Sequence, residues 1–246
     1  MRDGNVARAS SATRGCVLAS LLLAAACLLL SCSGSGTADS SPVIDIGDNN
    51  PGIVLLSGDS VTYGKDSPGN RGYATELQRL LAEQGKEVTV VNRGRAAAKS
   101  HHIDEANANL WKYKPAVSVL QYGLNDALVI HENTPKAIVD NLRHMIYAGL
   151  DNKSIVVLCT LTPTCGYRTL QNEKIQEANE GFRSLVSEFE DYDSFVLADI
   201  GAAFAENDPE GGGCALINTS SYNHPTVEGY ALMAAVIAAA LEPLAW

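Results

Sequence analysis

From residue 51 onward, short apolar runs alternate with longer segments in which apolar residues recur every three or four positions. The short runs predict β-strands over residues 53–57, 88–91, 116–122, 154–159 and 194–199. The longer segments predict amphipathic helices over residues 74–84, 137–150, 171–192 and 226–241. Because strands separated by crossover helices form parallel sheets, the pattern predicts one α/β domain, a three-layer α/β/α architecture with about five parallel strands.

The first part of the chain does not follow this alternation. Arg2, Arg8 and Arg14 precede an almost wholly apolar run, and Leu29-Leu30-Ser31-Cys32 resembles a bacterial lipobox. The run is short for a membrane span, and a polar segment rich in Ser and Gly follows it. We therefore predict a lipoprotein signal peptide over 1–31 and a lipid on Cys32 that anchors the protein in the bacterial cell envelope. With Ser33 rather than an aspartate after Cys32, the outer membrane or cell surface is expected.

Residues 32–50 are rich in Ser, Gly, Asp and Asn and show no sustained period. This composition is typical of a flexible tether. The predicted organisation is thus a signal peptide over 1–31, a tether over 32–50 and one globular domain over 51–246.

Charge and cysteine content limit the possible partners. The 246-residue chain has a formal net charge of −10 and a pI of about 4.9, so it lacks the basic surface that nucleic-acid binding requires. Outside the signal and Cys32, the cysteines are Cys159, Cys165 and Cys214. An exported protein can form one disulfide from these three, and both Cys159–Cys165 and Cys165–Cys214 are possible. No paired Cys/His spacing points to a metal site, and neither a metal nor an organic cofactor is expected.

Polar residues suited to catalysis follow several of the predicted strands. Gly58-Asp59-Ser60 follows the first strand, Asn92 the second, and Gly123 with Asn125 the third, while His224 precedes the last helix. Ligands bind at the carboxyl edge of parallel sheets, where these loops should meet. A hydroxyl, a base and hydrogen-bond donors for an oxyanion are the groups that nucleophilic catalysis needs.

The same segments resemble the GDSL, or SGNH, hydrolase family of esterases, lipases and carbohydrate deacetylases, over roughly residues 52–241. Gly58-Asp59-Ser60-Val61-Thr62-Tyr63-Gly64 resembles the first block of that family, Gly123-Leu124-Asn125-Asp126 the third, and His224-Pro225 followed by Gly229 the fifth. The resemblance implies a flavodoxin-like sheet with Ser60 as nucleophile and His224 as general base. It also implies an oxyanion hole made by the Ser60 N–H and the Asn125 amide.

Two positions depart from the family pattern. Where the second block usually has a glycine that donates to the oxyanion, this chain has Ala97; its N–H can still donate, and Gly94 is the alternative. Where the family has an aspartate three residues before the histidine, this chain has Ser221. Asp59 is a further acidic residue near the nucleophile, but we expect it to bind loop backbone.

Three explanations of the missing aspartate remain open. A backbone carbonyl or Ser221 orients His224, which is the explanation we favour; an acid elsewhere replaces the aspartate; or the protein is weakly active or inactive. The prediction is an exported, membrane-anchored serine esterase acting through an acyl-enzyme on short acyl esters, such as acetyl groups on carbohydrate. Its partners would be a small-molecule or glycan ester and the membrane. The alternatives are a non-catalytic or weakly active carbohydrate- or surface-binding lipoprotein and an acyltransferase.

Overall fold

Five parallel strands form the centre of the fold in a computed structural model that describes residues 43–129 and 133–246. The strands are β1 (Asn50–Gly58), β2 (Thr89–Asn92), β3 (Pro115–Gln121), β4 (Ile155–Cys159) and β5 (Phe195–Ala198). Their order in the sheet is β2-β1-β3-β4-β5, with every neighbouring pair parallel. Every residue of β3 and β4 is buried, because helices cover both faces of the sheet.

The helices connect the strands and form the two outer layers. They are α1 (Ser60–Tyr63), α2 (Ala74–Glu83), α3 (Ile103–Tyr113), α4 (Leu124–Leu128), α5 (Pro135–Asp151), α6 (Asn172–Glu188), α7 (Ile200–Asn207) and α8 (Val227–Leu241). Three short 3-10 helices cover Pro68–Asn70, Gly166–Gln171 and Cys214–Leu216. Helix α8 packs against α2 and α7, whereas α5 packs against α3 and α6. The predicted three-layer α/β/α fold is confirmed.

The predicted strands and long helices are all present. The hydrophobic pattern did not predict two helices of moderate length, α3 and α7. Helix α3 buries only Ala106, Asn109 and Leu110, so its apolar stripe is narrow and interrupted by a polar side chain. Helix α7 has only eight residues, several of them Ala or Gly, and too few turns to show a period. Both lie in segments where the sequence pattern predicted neither a strand nor a helix.

The strand register brings three functional loops to one edge of the sheet. Leu56 of β1 pairs with Asn92, the last residue of β2, and Gly58 pairs with Gln121, the last residue of β3. β1 and β3 therefore end at the same level, and β2 ends two residues earlier along β1. Residues that follow them, including Ser60 and Asn125, are presented side by side at the carboxyl edge.

The segment just before β1 is part of the folded domain, which shortens the predicted tether. Val43 forms a parallel bridge with Ala245, and the Ile44 N–H donates to the Ala245 carbonyl at 2.8 Å. Asn49 is buried and its side-chain amide donates to the Asn152 carbonyl at 2.7 Å. The boundary predicted at residue 51 is therefore too late, because residues 43–50 are held by contacts that the polar composition did not reveal.

The signal peptide predicted over 1–31, the lipid on Cys32 and the first part of the tether lie outside the described residues. Across residues 43–129 and 133–246, none of the helices has the length and apolar character needed to cross a bilayer.

One disulfide joins two loops at the carboxyl edge. Of the two pairings left open by the sequence, the structure has Cys165–Cys214, while Cys159 is a buried free thiol at the end of β4. The bond links the segment after β4 to the segment that leads to His224. The Cys165 N–H also donates to the Tyr222 carbonyl at 2.8 Å, so these two segments are connected twice.

We expect the Cys165→Ser/Cys214→Ser double variant to lose about 2–4 kcal/mol in free energy of unfolding. The disulfide closes a loop over a sequence separation of 49, which restricts the unfolded chain. Urea denaturation measures the loss. A reductant should destabilise the wild type by the same amount and leave the double variant unchanged; a wild type that is insensitive to reductant would contradict the expectation.

Candidate active site

Ser60 lies on a tight turn between β1 and α1. Asp59 caps the helix, since its Oδ1 accepts the Val61 N–H at 2.8 Å, and Gly64 ends the helix with a φ of 90°. The first N–H groups of a helix have no acceptor within the helix, so the Ser60 N–H is available to a ligand. The turn thus places Ser60 in the wall of the cavity at this edge of the sheet.

The buried side chain of Asp59 stabilises this turn through a hydrogen bond with the backbone. Its carboxyl is completely buried, and burial raises its pKa to about 7. Within the described residues Oδ2 has no hydrogen-bond partner, and Oδ1 accepts the Val61 N–H. Asp59 therefore binds loop backbone, as expected from the sequence, and has no contact with the histidine.

His224 reaches Ser60 from the loop before α8. Its Nε2 lies 2.9 Å from Ser60 Oγ, and the two residues are 164 positions apart in the chain. The loop is held by an antiparallel bridge between Ile217 and Pro225 and by the Asn218 N–H, which donates to the His224 carbonyl at 2.8 Å. The imidazole is almost fully buried, so its orientation is fixed by neighbouring groups.

The second ring nitrogen of His224 binds Asp66. The distance from Nδ1 to Asp66 Oδ2 is 2.7 Å, and the Asp66 side chain is only 28 % exposed. The favoured prediction, in which Ser221 or a backbone carbonyl orients the imidazole, is therefore wrong. An acid from elsewhere does so, and it comes from the loop that follows the nucleophile.

Asp66 has a backbone conformation that most side chains avoid. Its φ is 67°, in the left-handed region that aspartate tolerates better than most residues. The loop is fixed by the Tyr230 hydroxyl, which donates to the Lys65 carbonyl at 2.8 Å. The sequence contains no local signal for this contact, because Gly64-Lys65-Asp66-Ser67-Pro68 has the composition of an ordinary turn.

Ser221 has a supporting position beside this pair. Its Oγ accepts the His224 N–H at 3.3 Å, and its hydroxyl helps to lower the pKa of the Asp66 carboxyl. The Ser221 carbonyl accepts a hydrogen bond from Arg168 Nε at 3.1 Å. Ser221 therefore links the acid, the histidine loop and the 3-10 helix Gly166–Gln171.

Burial and charge act in opposite directions on the histidine. Burial lowers the pKa of His224, and the hydrogen bond and charge of Asp66 raise it without fully offsetting the burial, so the pKa lies below the ordinary value of 6.5. For Asp66, burial raises the pKa, but the hydrogen bonds from His224 and Ser221 outweigh it and leave the pKa lowered. Near neutral pH the pair is thus a neutral imidazole beside a carboxylate, the state that a general base requires.

Ala97 and Asn125 lie in the same cavity as Ser60 and His224. Ala97 has a φ of 61°, a left-handed conformation that usually favours glycine and costs about 1 kcal/mol for a residue with a Cβ. The Asn125 amide donates one N–H to the Ala98 carbonyl at 2.9 Å, which fixes its orientation and leaves the second N–H available. Both residues therefore line the cavity that also contains Ser60 and His224.

A buried carboxylate connects the loops that carry these donors. The Ser100 N–H and hydroxyl donate to the two carboxyl oxygens of Asp126, each at 2.8 Å. Asn141 of α5 in turn donates to Ser100 Oγ at 2.9 Å. The loop after β2 and the loop after β3 are therefore locked together next to Ala97 and Asn125.

Gly94, the alternative oxyanion donor, lies elsewhere. Its N–H donates to Asn92 Oδ1 at 2.9 Å, and a Cβ at this position would collide with the backbone of Thr62 and Tyr63. The glycine is needed for close packing against α1. The Gly94 hypothesis is therefore wrong.

The site opens into a cavity of about 540 Å³ between the loops. Besides the residues anticipated from the sequence, the cavity is lined by side chains that the motifs did not indicate: Lys65, Asp66, Ala96, Leu128, Tyr167, Arg168, Ser220 and Asn223. Most of these belong to loops whose positions only long-range contacts define. Across the described residues, no group of three or more His, Cys, Asp or Glu side chains is arranged to hold a metal ion.

The fold is similar to those of several solved hydrolases. The lipase/acylhydrolase from Enterococcus faecalis superposes with a TM-score of 0.66 and 23% identity, over 77% of this chain and 95% of that one. A mutant of an acetyl-xylooligosaccharide esterase from Geobacillus Stearmophilus gives 0.63 and 16%, over 78% and 95%. An alpha/beta hydrolase enzyme from the metagenome of Lake Arreo, Spain, gives 0.64 and 16%, over 80% and 98%.

Among curated proteins, none matches the sequence significantly. A family model does match: that of the GDSL-like Lipase/Acylhydrolase family, over residues 56–232. The matched segment includes Ser60, Ala97, Asn125 and His224, and it spans most of the described domain. The chain therefore belongs to the GDSL-like lipase/acylhydrolase family and is an ester hydrolase of the SGNH type.

Proposed function

We propose that this protein is an exported, lipid-anchored serine esterase that removes short acyl groups, such as acetyl, from carbohydrate. The observation that carries the proposal is the continuous hydrogen-bonded series Ser60–His224–Asp66, with distances of 2.9 Å and 2.7 Å. A hydroxyl, a base and a carboxylate in this order form the catalytic triad of serine hydrolases.

In the proposed reaction Ser60 Oγ attacks the ester carbonyl carbon while His224 Nε2 accepts the hydroxyl proton. The bond to the alcohol oxygen breaks, His224 gives the proton to that oxygen, and the acyl group remains on Ser60. Water, deprotonated by His224, then attacks the acyl-enzyme and releases the carboxylic acid, which restores the serine hydroxyl.

Two sets of neighbouring groups lower the barrier of this reaction. The N–H groups of Ser60 and Ala97 and the Asn125 amide would donate to the oxygen that becomes negative in the tetrahedral intermediate. Asp66 would stabilise the imidazolium that forms at the same moment on His224. Positive charge on the histidine and negative charge on the substrate oxygen would thus both be compensated.

The character of the cavity supports a short acyl group on a polar substrate. Most of the lining side chains are polar, with Leu128 and Tyr167 as the larger apolar surfaces. A long acyl chain needs extended apolar contact, which this lining does not offer. The similarity to an acetyl-xylooligosaccharide esterase supports an acetyl group on carbohydrate as the proposed substrate.

The N-terminal sequence supports the proposed location. The lipobox-like Leu29-Leu30-Ser31-Cys32 is the pattern that precedes lipid attachment, and we propose that Cys32 anchors the enzyme in the cell envelope. The Cys165–Cys214 disulfide is typical of exported proteins, because the cytosol keeps thiols reduced.

The alternative of a non-catalytic binding protein rested on Ser221 in the place of the usual aspartate. The contact between Asp66 and His224 removes that argument, because a carboxylate reaches the imidazole from another loop. No observation in the site favours an acyltransferase over a hydrolase, so hydrolysis is the function we propose.

The Ser60→Ala variant tests this function. We expect kcat for p-nitrophenyl acetate, and for acetate release from acetylated xylo-oligosaccharides, to fall by about 1000-fold or more, because the nucleophile is absent. Ser184→Ala, an exposed serine on α6, serves as the matched control and should keep wild-type activity. Wild-type turnover no higher than that of the Ser60→Ala variant would refute the proposal.

The role of Asp66 is tested by moving the carboxylate. Asp66→Asn should lower kcat by about 1000-fold or more, since the amide cannot stabilise the imidazolium. Ser221→Asp alone should not raise activity, because its carboxylate would lie against Asp66 and like charges repel. In the Asp66→Asn background, Ser221→Asp should restore at least about tenfold, because the new carboxylate can reach the same imidazole.

Asp191→Asn, in the exposed segment before β5, is the charge-matched control and should keep wild-type activity. Near-wild-type activity of Asp66→Asn would show that another group orients His224.

The pH profile should reflect the lowered pKa of His224. Only the neutral imidazole accepts a proton, so kcat/KM should rise with pH through an apparent pKa below 6.5 and stay level through neutral pH. Asp66→Asn should move this acidic limb to lower pH, because the carboxylate charge that favours the protonated ring is lost. NMR titration of the His224 imidazole reports the same pKa without turnover. An acidic limb above 6.5 would contradict the burial argument.

A further inference from the structure

Two cationic side chains line the cavity that contains the nucleophile. Lys65 directly precedes Asp66, and Arg168 lies on the 3-10 helix Gly166–Gln171. The chain as a whole is acidic, with a formal net charge of −10. Two cations on the wall of one cavity create a locally positive potential there, although the protein as a whole repels anions.

Within residues 43–129 and 133–246, neither cation forms a salt bridge. The carboxylate that lines the same cavity, Asp66, is bound to His224 Nδ1 at 2.7 Å. Within the part of the chain that the structure describes, no carboxylate lies within salt-bridge distance of Lys65 or Arg168. The ammonium group and most of the guanidinium are therefore available to a ligand.

Arg168 is held in place by groups that do not use its charge. Its Nε donates to the Ser221 carbonyl at 3.1 Å, and the guanidinium lies over the Tyr167 ring, 5.1 Å from its centroid. This arrangement leaves the two terminal nitrogens for a ligand. A planar guanidinium with two adjacent donors matches the geometry of a carboxylate or phosphate.

The position of both cations identifies the part of the substrate that they would meet. The oxyanion donors of Ala97 and Asn125 hold the acyl carbonyl, whereas His224 must protonate the oxygen of the departing alcohol. Lys65 is the chain neighbour of Asp66, which binds His224. Arg168 donates to the carbonyl of Ser221, which lies beside Asp66 and His224. The cations therefore lie on the imidazole side of the site, where the alcohol half of the ester must be.

We propose that the alcohol half of the ester substrate carries an anionic group, a carboxylate or a phosphate, that Lys65 and Arg168 bind. This inference rests on the proposed esterase function and defines its substrate class more closely. An acylated acidic sugar is one compound with this chemistry, and an acylated polyol phosphate is another. The acyl half of the substrate remains neutral.

Three chromogenic acyl esters test which half of the substrate is charged. The first is p-nitrophenyl acetate, which is neutral. The second is an acetoxy-nitrobenzoate, with the same acyl group and a carboxylate on the leaving ring. The third is p-nitrophenyl hemisuccinate, whose carboxylate is on the acyl half. The measured quantity is the kcat/KM for each charged ester divided by that for the neutral ester, compared between variants.

Lys65→Met should lower the ratio for acetoxy-nitrobenzoate by about fivefold, which corresponds to the loss of one partly exposed charge contact. The ratio for the hemisuccinate should change by less than about twofold, since its charge lies on the other side. Lys112→Met, on α3 next to the start of β3 and thus at the opposite edge of the sheet, is the charge-matched control. It should leave both ratios unchanged.

Arg168 is tested with two variants, because its Nε also donates to the Ser221 carbonyl and the loss of that hydrogen bond must be separated from the loss of charge. Arg168→Met should lower the ratio for acetoxy-nitrobenzoate, and Arg168→Lys should restore much of it by returning the charge. The inference would be overturned if the ratio for acetoxy-nitrobenzoate stayed at its wild-type value in Lys65→Met and in Arg168→Met. If wild-type hydrolysis of the neutral ester still depends on Ser60, the esterase function then stands. If no ester is hydrolysed in a Ser60-dependent way, both proposals fail.

Natural-type substrates distinguish the two sources of the charge. Acetylated galacturonate oligomers carry carboxylates, acetyl glycerophosphate carries a phosphate, and acetylated xylo-oligosaccharides are neutral. A Lys65-dependent preference for either anionic compound over the neutral one supports the inference and identifies the anion. A preference for the neutral oligosaccharide that Lys65→Met leaves unchanged would overturn it.

Discussion

The hydrogen bond between Asp66 and His224 is the interaction on which the site depends. It joins the loop after the nucleophile to the loop before the last helix, across 158 positions of the chain. A buried imidazole resists protonation, and the adjacent carboxylate is the group that makes its protonated state accessible during the reaction. Ser221, Tyr230 and the disulfide contribute indirectly, because each helps to hold one of the two loops in place.

The origin of the acid changes how the site is assembled. In the usual family pattern the acid and the base share one loop, whereas here the acid shares a loop with the nucleophile. The residue next to it, Lys65, lines the cavity that contains Ser60, so one short segment contributes both the acid and a cation at the site. The histidine loop contributes the base and the supporting Ser221, and it is attached to the segment after β4 through Cys165.

The opposite side of the site is organised around backbone donors. Ala97 accepts a left-handed conformation despite its Cβ, and the Asp126–Ser100 contacts fix the loop in which it lies. Strain at one residue is tolerated when the surrounding contacts determine its conformation. The rigid donors on this side and the charged groups on the imidazole side together define where the two halves of an ester would lie.

The fold class, all five strands, the long helices and the strand-end or loop placement of Ser60, Asn125 and His224 were predictable from the order of the residues alone. Hydrophobic periodicity and short motifs are local properties, and they place residues at strand ends without knowledge of distant contacts. Helices α3 and α7 were missed because their apolar faces are narrow or short. Three features were set by long-range contacts instead: Asp66 is the partner of His224, Cys165 pairs with Cys214, and Lys65 and Arg168 share a cavity. These choices depend on loops that meet across long stretches of chain, and no local pattern specifies which of several acids, thiols or cations will meet there.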